Sequence, residues 1–294
     1  MLWKEVTFIC EKKYTTAFED YILSLGACSV TYTEADKTLI LEPNIGDTPL
    51  WDKISFTALF TEDFNIDKIK EHIAKQLYPN AKNITIREFK DEDWERTCMQ
   101  DFHPIKLSPR LWICPSWEQP PEPDAINIML DPGLAFGTGS HETTFLCLDW
   151  LEKNIIGKET LLDIGCGSGI LGISAIKLGA ASTVGIDIDP QAIISTLDNA
   201  KNNNIKATEF TAYISGSEPQ GIHYNIVTAN ILASTLIDLV DYITSKVRKN
   251  GKIALSGILK EQVEEVLKTY SKYFKMEQPQ YKNEWALLSG TKKC

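Results

Sequence analysis

Residues 163 to 172 read DIGCGSGILG, and two further polar residues follow downstream, Asp187 in GIDIDP and Asn230 in NILA. Gly165, Gly167 and Gly169 let backbone come close to a ligand, and a helix that starts after such a turn presents free amide donors. A nucleotide-like ligand is the expected occupant. Gly167, Gly169 and Gly172 also satisfy Gly-x-Gly-x-x-Gly, and Asp187 lies about 20 residues on, where a ribose-binding carboxylate sits in dinucleotide enzymes. Spacing alone therefore leaves a dehydrogenase open.

Asp163 separates the two readings. It ends a strand beside the turn where a pyrophosphate would sit, and a carboxylate there repels phosphate. It suits a ligand whose polar tail carries an ammonium, such as S-adenosyl-L-methionine, and the full Asp-x-Gly-x-Gly-x-Gly with its distal acid points to a methyltransferase. Asp187, the first acid after the strand STVGI, is the favoured acceptor for both ribose hydroxyls. Asp189, just before Pro190, is the second candidate for that role, with a helix N-cap as its structural reading. Asn230 closes an apolar strand at the carboxyl edge of the sheet, where open α/β folds bind ligands, although a turn or cap role also suits it.

A second irregular stretch, DPGLAFGTGSHETT at residues 131 to 144, packs glycines, hydroxyls and His141 together. No Lys follows its glycines, so it is not a phosphate loop, and Phe145 stands where a zincin needs its second histidine. His141 on its own reads as a hydrogen-bonded loop residue. The stretch reads as a loop entering a helix, with Ser140 as a candidate cap and the hydroxyls of Thr143 and Thr144 facing a bound cofactor.

These residues need a scaffold, and the chain supplies one in two textures. From residue 160, strand and helix patterns alternate: TLLDI, a helix from GILGISAIKLGA, STVGIDI, a helix from DPQAIISTLDNAKNN, EFTAYI, NIVTANI, a helix through Leu236, Leu239, Val240 and Ile243, GKIALSGI, the helix KEQVEEVLKTY and two last strands. Such alternation implies a mainly parallel sheet covered on both faces. Before residue 90 the order is strand, helix, strand, strand, helix, strand, the second helix carrying Ile66, Ile69, Ile73 and Leu77; this is the split βαβ pattern of a small ferredoxin-like domain. The expected organisation is a ferredoxin-like substrate-recognition domain over 1–90, a linker helix over 91–105 and the α/β domain over 106–294.

Composition limits the remaining classes. The 294 residues are 43% hydrophobic and 24% charged, ordinary for a soluble globular protein. The N-terminus lacks a signal-peptide pattern and no apolar run is long enough for a bilayer, so a cytoplasmic protein is expected, with no membrane partner. Seven scattered cysteines without Cys-x-x-Cys and four histidines argue against a disulfide framework or a metal site. A net charge of −10 argues against direct nucleic-acid binding and suits a basic protein partner.

Taken together, DPGLAFGTGSHETT, DIGCGSGIL, GIDIDP, NILA and the terminal EWALLSG resemble the PrmA family, bacterial methyltransferases of large ribosomal subunit protein 11. The likeness runs over nearly the whole chain; Ser140 and Glu142 stand where that family usually has Thr and Pro. It implies an α/β, Rossmann-like class I S-adenosylmethionine-dependent methyltransferase domain preceded by a small α+β ferredoxin-like domain. Cofactor contacts are expected from Thr144, Gly165, Asp187 and Asn230, with no metal and no assignable catalytic acid or base. The implied acceptors are lysine ε-amines and the N-terminal α-amine of large ribosomal subunit protein 11, free or in the ribosome, methylated by a monomer. The alternatives are a class I methyltransferase for a small molecule or nucleic acid, or a catalytically silent ribosome-associated module.

Overall fold

Val6, Phe8 and Cys10 alternate along β1 (Leu2–Glu11) and are all buried, because side chains two apart on a strand share a face. In the computed structural model of this chain, which describes residues 2–36, 48–64, 80–90, 102–131, 139 and 141–293, that face is the core of the first of two units, Met1–Thr97. Helix α1 (Thr15–Ser24) covers it with Phe18 and Ile22. Strands β2 (Ser29–Glu34), β3 (Lys53–Thr61) and β4 (Lys82–Lys90) complete an antiparallel sheet in the order β2-β3-β1-β4. This is the order a split βαβ chain gives when each crossover skips one strand. Phe8 stacks on Phe56 of β3 with ring centroids 4.6 Å apart. The helix expected at Ile66 to Leu77 lies outside the described residues.

The second unit is Cys98–Cys294. Residues 91–101 of the expected linker helix lie outside the described residues, and its last residues are not helical: Ile105 already pairs with Ile113. A small sheet results from β5 (Ile105–Lys106), β6 (Leu111–Cys114) and β7 (Ile126–Met129).

After α2 (Glu142–Asn154), the main sheet begins with β8 (Thr160–Ile164), α3 (Ile170–Leu178), β9 (Ser182–Asp187), α4 (Pro190–Asn202), β10 (Phe210–Ile214) and β11 (Tyr224–Asn230). It continues with α5 (Ala233–Asp238), α6 (Val240–Lys246), β12 (Val247–Leu259), α7 (Val263–Tyr270), β13 (Phe274–Met276), β14 (Gln280–Lys282) and β15 (Trp285–Lys292). Strand order is β10-β9-β8-β11-β12-β15-β13, with β14 paired to β15. The first five strands are parallel, whereas β15 runs antiparallel between β12 and β13. An all-parallel dinucleotide fold lacks such an inserted strand. The helix expected through Leu236 to Ile243 is broken at Leu239 into α5 and α6, and β14 carries no apolar pattern that would have revealed it.

Two cores cover the two faces of this sheet. Leu161 and Ile226 face one, with Leu148 and Trp150 of α2 and Ile173 of α3; their neighbours Leu162 and Val227 face the other, with Leu236, Ile243 and Val266. Burial on both faces explains why the parallel strands read as unbroken apolar runs. Successive strands extend one way from β8 through β9 to β10 and the other way from β11 to β12, so the crevice beyond the carboxyl ends of the parallel pair β8 and β11 is the topological switch point. Among the described residues no helix is long and apolar enough to cross a membrane.

Candidate functional site

The glycine turn leaves β8 at this switch point. Amides of Gly165 and Cys166 both donate to Ile186 O of β9, at 2.8 and 3.1 Å, tying the turn to the end of the neighbouring strand. Gly165 has φ +72°, and a Cβ there would lie 2.5 Å from Ile231 Cγ2. Only glycine fits that bend. Gly172 has a different role: a Cβ on it would meet the Phe210 ring at 2.5 Å, so it lets α3 lie close on the sheet. Close packing of α3 on the sheet thus accounts for the last glycine of the Gly-x-Gly-x-x-Gly match.

Asp187 ends β9 beside this turn. Its Oδ2 accepts the Gly167 amide at 2.9 Å and its Oδ1 the Asp189 amide at 3.1 Å. Each oxygen retains a lone pair, and the side chain is only partly buried. Asp189 Oδ1 accepts the Gln191 amide at 2.9 Å, with Pro190 at the first helical position, so Asp189 is the N-cap of α4.

Asp163 is 1% exposed and sits opposite Thr228 in the β8–β11 register. Thr228 Oγ1 donates to Asp163 Oδ1 at 2.8 Å, while Oδ2 is buried with no partner among the described residues. Burial pushes this carboxyl up to about 7, the Asp187 charge adds to the rise, and the Thr228 bond works against it. A buried, half-satisfied carboxylate is costly and marks a place where a ligand group completes the structure. Thr228 was not singled out in the sequence, though a hydroxyl inside the apolar run NIVTANI is a readable signal.

Thr144 and Asn230 meet from opposite ends of the chain order. Asn230 Nδ2 lies 3.5 Å from Thr144 Oγ1, a long contact, and Thr144 is 2% exposed. Helix α2 delivers Thr144, and its N-cap is His141: the ring Nδ1 accepts the Thr143 amide at 3.3 Å and lies 2.8 Å from Thr143 Oγ1. The β14–β15 hairpin secures this helix start. Trp285 packs edge-on to His141, Asn283 donates to Glu142 at 3.0 Å, and Lys282 lies 4.0 Å over the Phe145 ring. Ser140 and residues 132–138 of the signature stretch lie outside the described residues, as does any closure of that loop.

The four expected contact residues thus gather at one edge, Gly165 and Asp187 through the turn, Thr144 and Asn230 through their side chains, with Ile231 packed against Gly165.

Comparison with known proteins places the chain in a family. The family model described as Ribosomal protein L11 methyltransferase (PrmA) matches residues 2–293. Ribosomal protein L11 methyltransferases of Shewanella sediminis (strain HAW-EB3) and Pseudomonas aeruginosa (strain LESB58) are 42% and 43% identical over 294 residues, covering all of both chains. A solved ribosomal protein L11 methylase from Lactobacillus delbrueckii subsp. bulgaricus, 34% identical, superposes with a TM-score of 0.61 over 66% of this chain and 100% of that one. Matched end to end by its relatives and by the family model, with its glycine turn and two strand-end acids on one sheet edge, the chain belongs to the ribosomal protein L11 methyltransferase (PrmA) family.

Proposed function

We propose that this protein transfers methyl groups from S-adenosyl-L-methionine to lysine ε-amines and the N-terminal α-amine of ribosomal protein L11. The observation that carries the chemistry is Asp163. Its buried oxygen without a partner, beside a turn that glycine alone can make, fits an ammonium-bearing ligand and repels a pyrophosphate. The acceptor protein follows from full-length relatives named for that reaction.

When bound, the cofactor supplies a sulfonium methyl group open to in-line attack. Asp187, fixed by the Gly167 and Asp189 amides, accepts hydrogen bonds from the two ribose hydroxyls. Gly165 admits the ligand close to backbone, and Asp163 takes the ammonium on its free oxygen. Thr144 and Asn230 present hydroxyl and amide groups at the same edge. An incoming lysine has a reference pKa of about 10.4 and must lose a proton before it attacks. No side chain is assigned to remove it. Asn230, with backbone carbonyls of NILA, orients the amine, and exclusion of water favours its neutral form. The first unit, which carries no chemical motif, recognises the substrate protein.

The test is a mass spectrum of purified L11 before and after incubation with the enzyme and S-adenosyl-L-methionine. Mass gains in whole methyl increments on lysines or the N-terminus are expected. An unchanged mass under conditions where calorimetry registers cofactor binding would sink the proposal.

A further inference from the structure

The opposite edge of the main sheet carries a feature unrelated to the cofactor edge. His223, Arg248, Lys249, Lys292 and Lys293 line, with Val247, an open cavity of about 500 Å³. His223 precedes β11, residues 247–249 begin β12, and the antiparallel β15 brings Lys292 back to the same end. Seven residues of β11 separate this edge from Asn230, a distance of about 20 Å. The cavity therefore serves neither cofactor nor reacting amine.

Its charge is concentrated and unspent. Four of the cavity's six lining residues are Lys or Arg and none is Asp or Glu, in a chain of net charge −10. Among the described residues none of the five cavity-lining basic side chains stands in an ion pair. Lys292 Nζ donates to Thr244 O and Val247 O, both at 2.7 Å, and Lys293 Nζ to Ser271 O at 2.6 Å. Both ammonium groups are thus held in place with donors to spare, since each has three. Arg248 and Lys249 are exposed, and the Arg fork matches phosphate oxygens. Three chain segments supply these groups, which is why no basic run is visible along the sequence.

We propose that this cavity binds phosphodiester groups of RNA and docks the enzyme to an RNA surface from the side remote from the chemistry. Its choice of polyanion rests on the reading of a ribosomal protein as substrate, since such a protein is presented among RNA phosphates. Elsewhere the acidic surface repels RNA, so contact is confined to this edge.

Fluorescence anisotropy of a labelled RNA hairpin, titrated with the full-length protein at several salt concentrations, tests it. Binding is expected to weaken with salt at a log–log slope of roughly −2, equivalent to two or three phosphates. The double variant Arg248→Glu, Lys249→Glu is expected to bind at least ~10-fold more weakly with a shallower slope, while it melts normally and methylates free L11 at the wild-type rate. Inorganic phosphate and labelled polyglutamate are the other two probes. RNA affinity unchanged in the double variant, absence of salt-dependent binding, or polyglutamate bound as tightly as RNA would each overturn the site. Failure of both proteins to methylate free L11, with RNA binding as described, would strike the substrate reading instead.

Discussion

The backbone amide of Gly167 donates a 2.9 Å hydrogen bond to Asp187 Oδ2, joining the glycine turn to the acid twenty residues later. The carboxylate proposed to bind ribose is thereby held in place by the turn itself. Charged hydrogen bonds contribute about 1.5–3 kcal/mol each, so Asp187→Ala is expected to weaken S-adenosyl-L-methionine binding by ~100-fold or more in calorimetric titration. Asp189→Ala removes only a helix cap, lowering stability by about 1 kcal/mol and leaving affinity unchanged. Equal affinities for wild type and Asp187→Ala would remove Asp187 from the site.

Asp163 predicts opposite effects on stability and binding. Its folded carboxyl lies at about 7, above the reference value of 3.8. The folded state therefore holds a proton that the unfolded state releases, and the resulting penalty is absent below about pH 4 and grows as pH rises towards 7. Asp163→Asn abolishes it while still accepting the Thr228 bond. The ligand-free variant should melt higher than wild type at pH 8, with the two curves converging in acid. Cofactor affinity should move the other way, lost in the variant and falling ~10-fold in wild type from pH 8 to pH 6 as the carboxylate is protonated. Identical melting at pH 8 would show that Asp163 is not strained by burial.

Much of this site is legible in the residue order because its parts are local. The turn, the acid ending β9 and the cap at Asp189 each sit within a few residues of the element boundary that creates them, and β8 spans the expected TLLDI. Pairings that depend on register are not legible. Nothing near Asp163 in sequence announces Thr228, 65 residues away, or tells that His141 would cap α2 and rest on Trp285. Helix breaks are equally hidden: Leu236, Leu239, Val240 and Ile243 have helical spacing, yet the chain bends at Leu239 between α5 and α6. Charge gathered from three segments at the far sheet edge escapes any scan along the chain for the same reason.

Gly165→Ala tests the turn itself. The new methyl must accept φ +72° and a 2.5 Å approach to Ile231 Cγ2, costs of about 1–2 kcal/mol for the backbone alone. Thermal unfolding should register a clear loss of stability, and cofactor affinity should fall with it. Removing the clashing atom in Gly165→Ala, Ile231→Ala separates the two causes. Recovery of part of the melting temperature relative to the sum of the single changes, without recovery of affinity, is expected from a double-mutant cycle. Strict additivity would mean that the two residues do not press on one another.

Glu218 anchors the loop that follows β10, and that loop is tied to Asp187, whose carbonyl accepts the Ser215 amide at 2.8 Å. Its carboxylate, 3% exposed, takes Lys246 Nζ and Tyr242 Oη on Oε1 and the Gly216 amide on Oε2, each at 2.8 Å. Burial opposes the charge, but the hydrogen bonds from Lys246, Tyr242 and the amides outweigh it and hold the carboxyl at about 2. Because the folded value lies below the reference 4.5, the contribution is complete above that pH and is lost as pH falls towards 2. Glu218→Gln leaves a buried ammonium without its acid, a loss of about 3–5 kcal/mol. Melting should therefore drop sharply at pH 7, with the gap from wild type closing below about pH 4. Glu218→Gln, Lys246→Met should restore most of it, since an apolar replacement leaves no buried charge unpaired. A single variant that melts with wild type at pH 7 would show the pair to be neutral, and the loop beside Asp187 would then owe its position to backbone bonds alone.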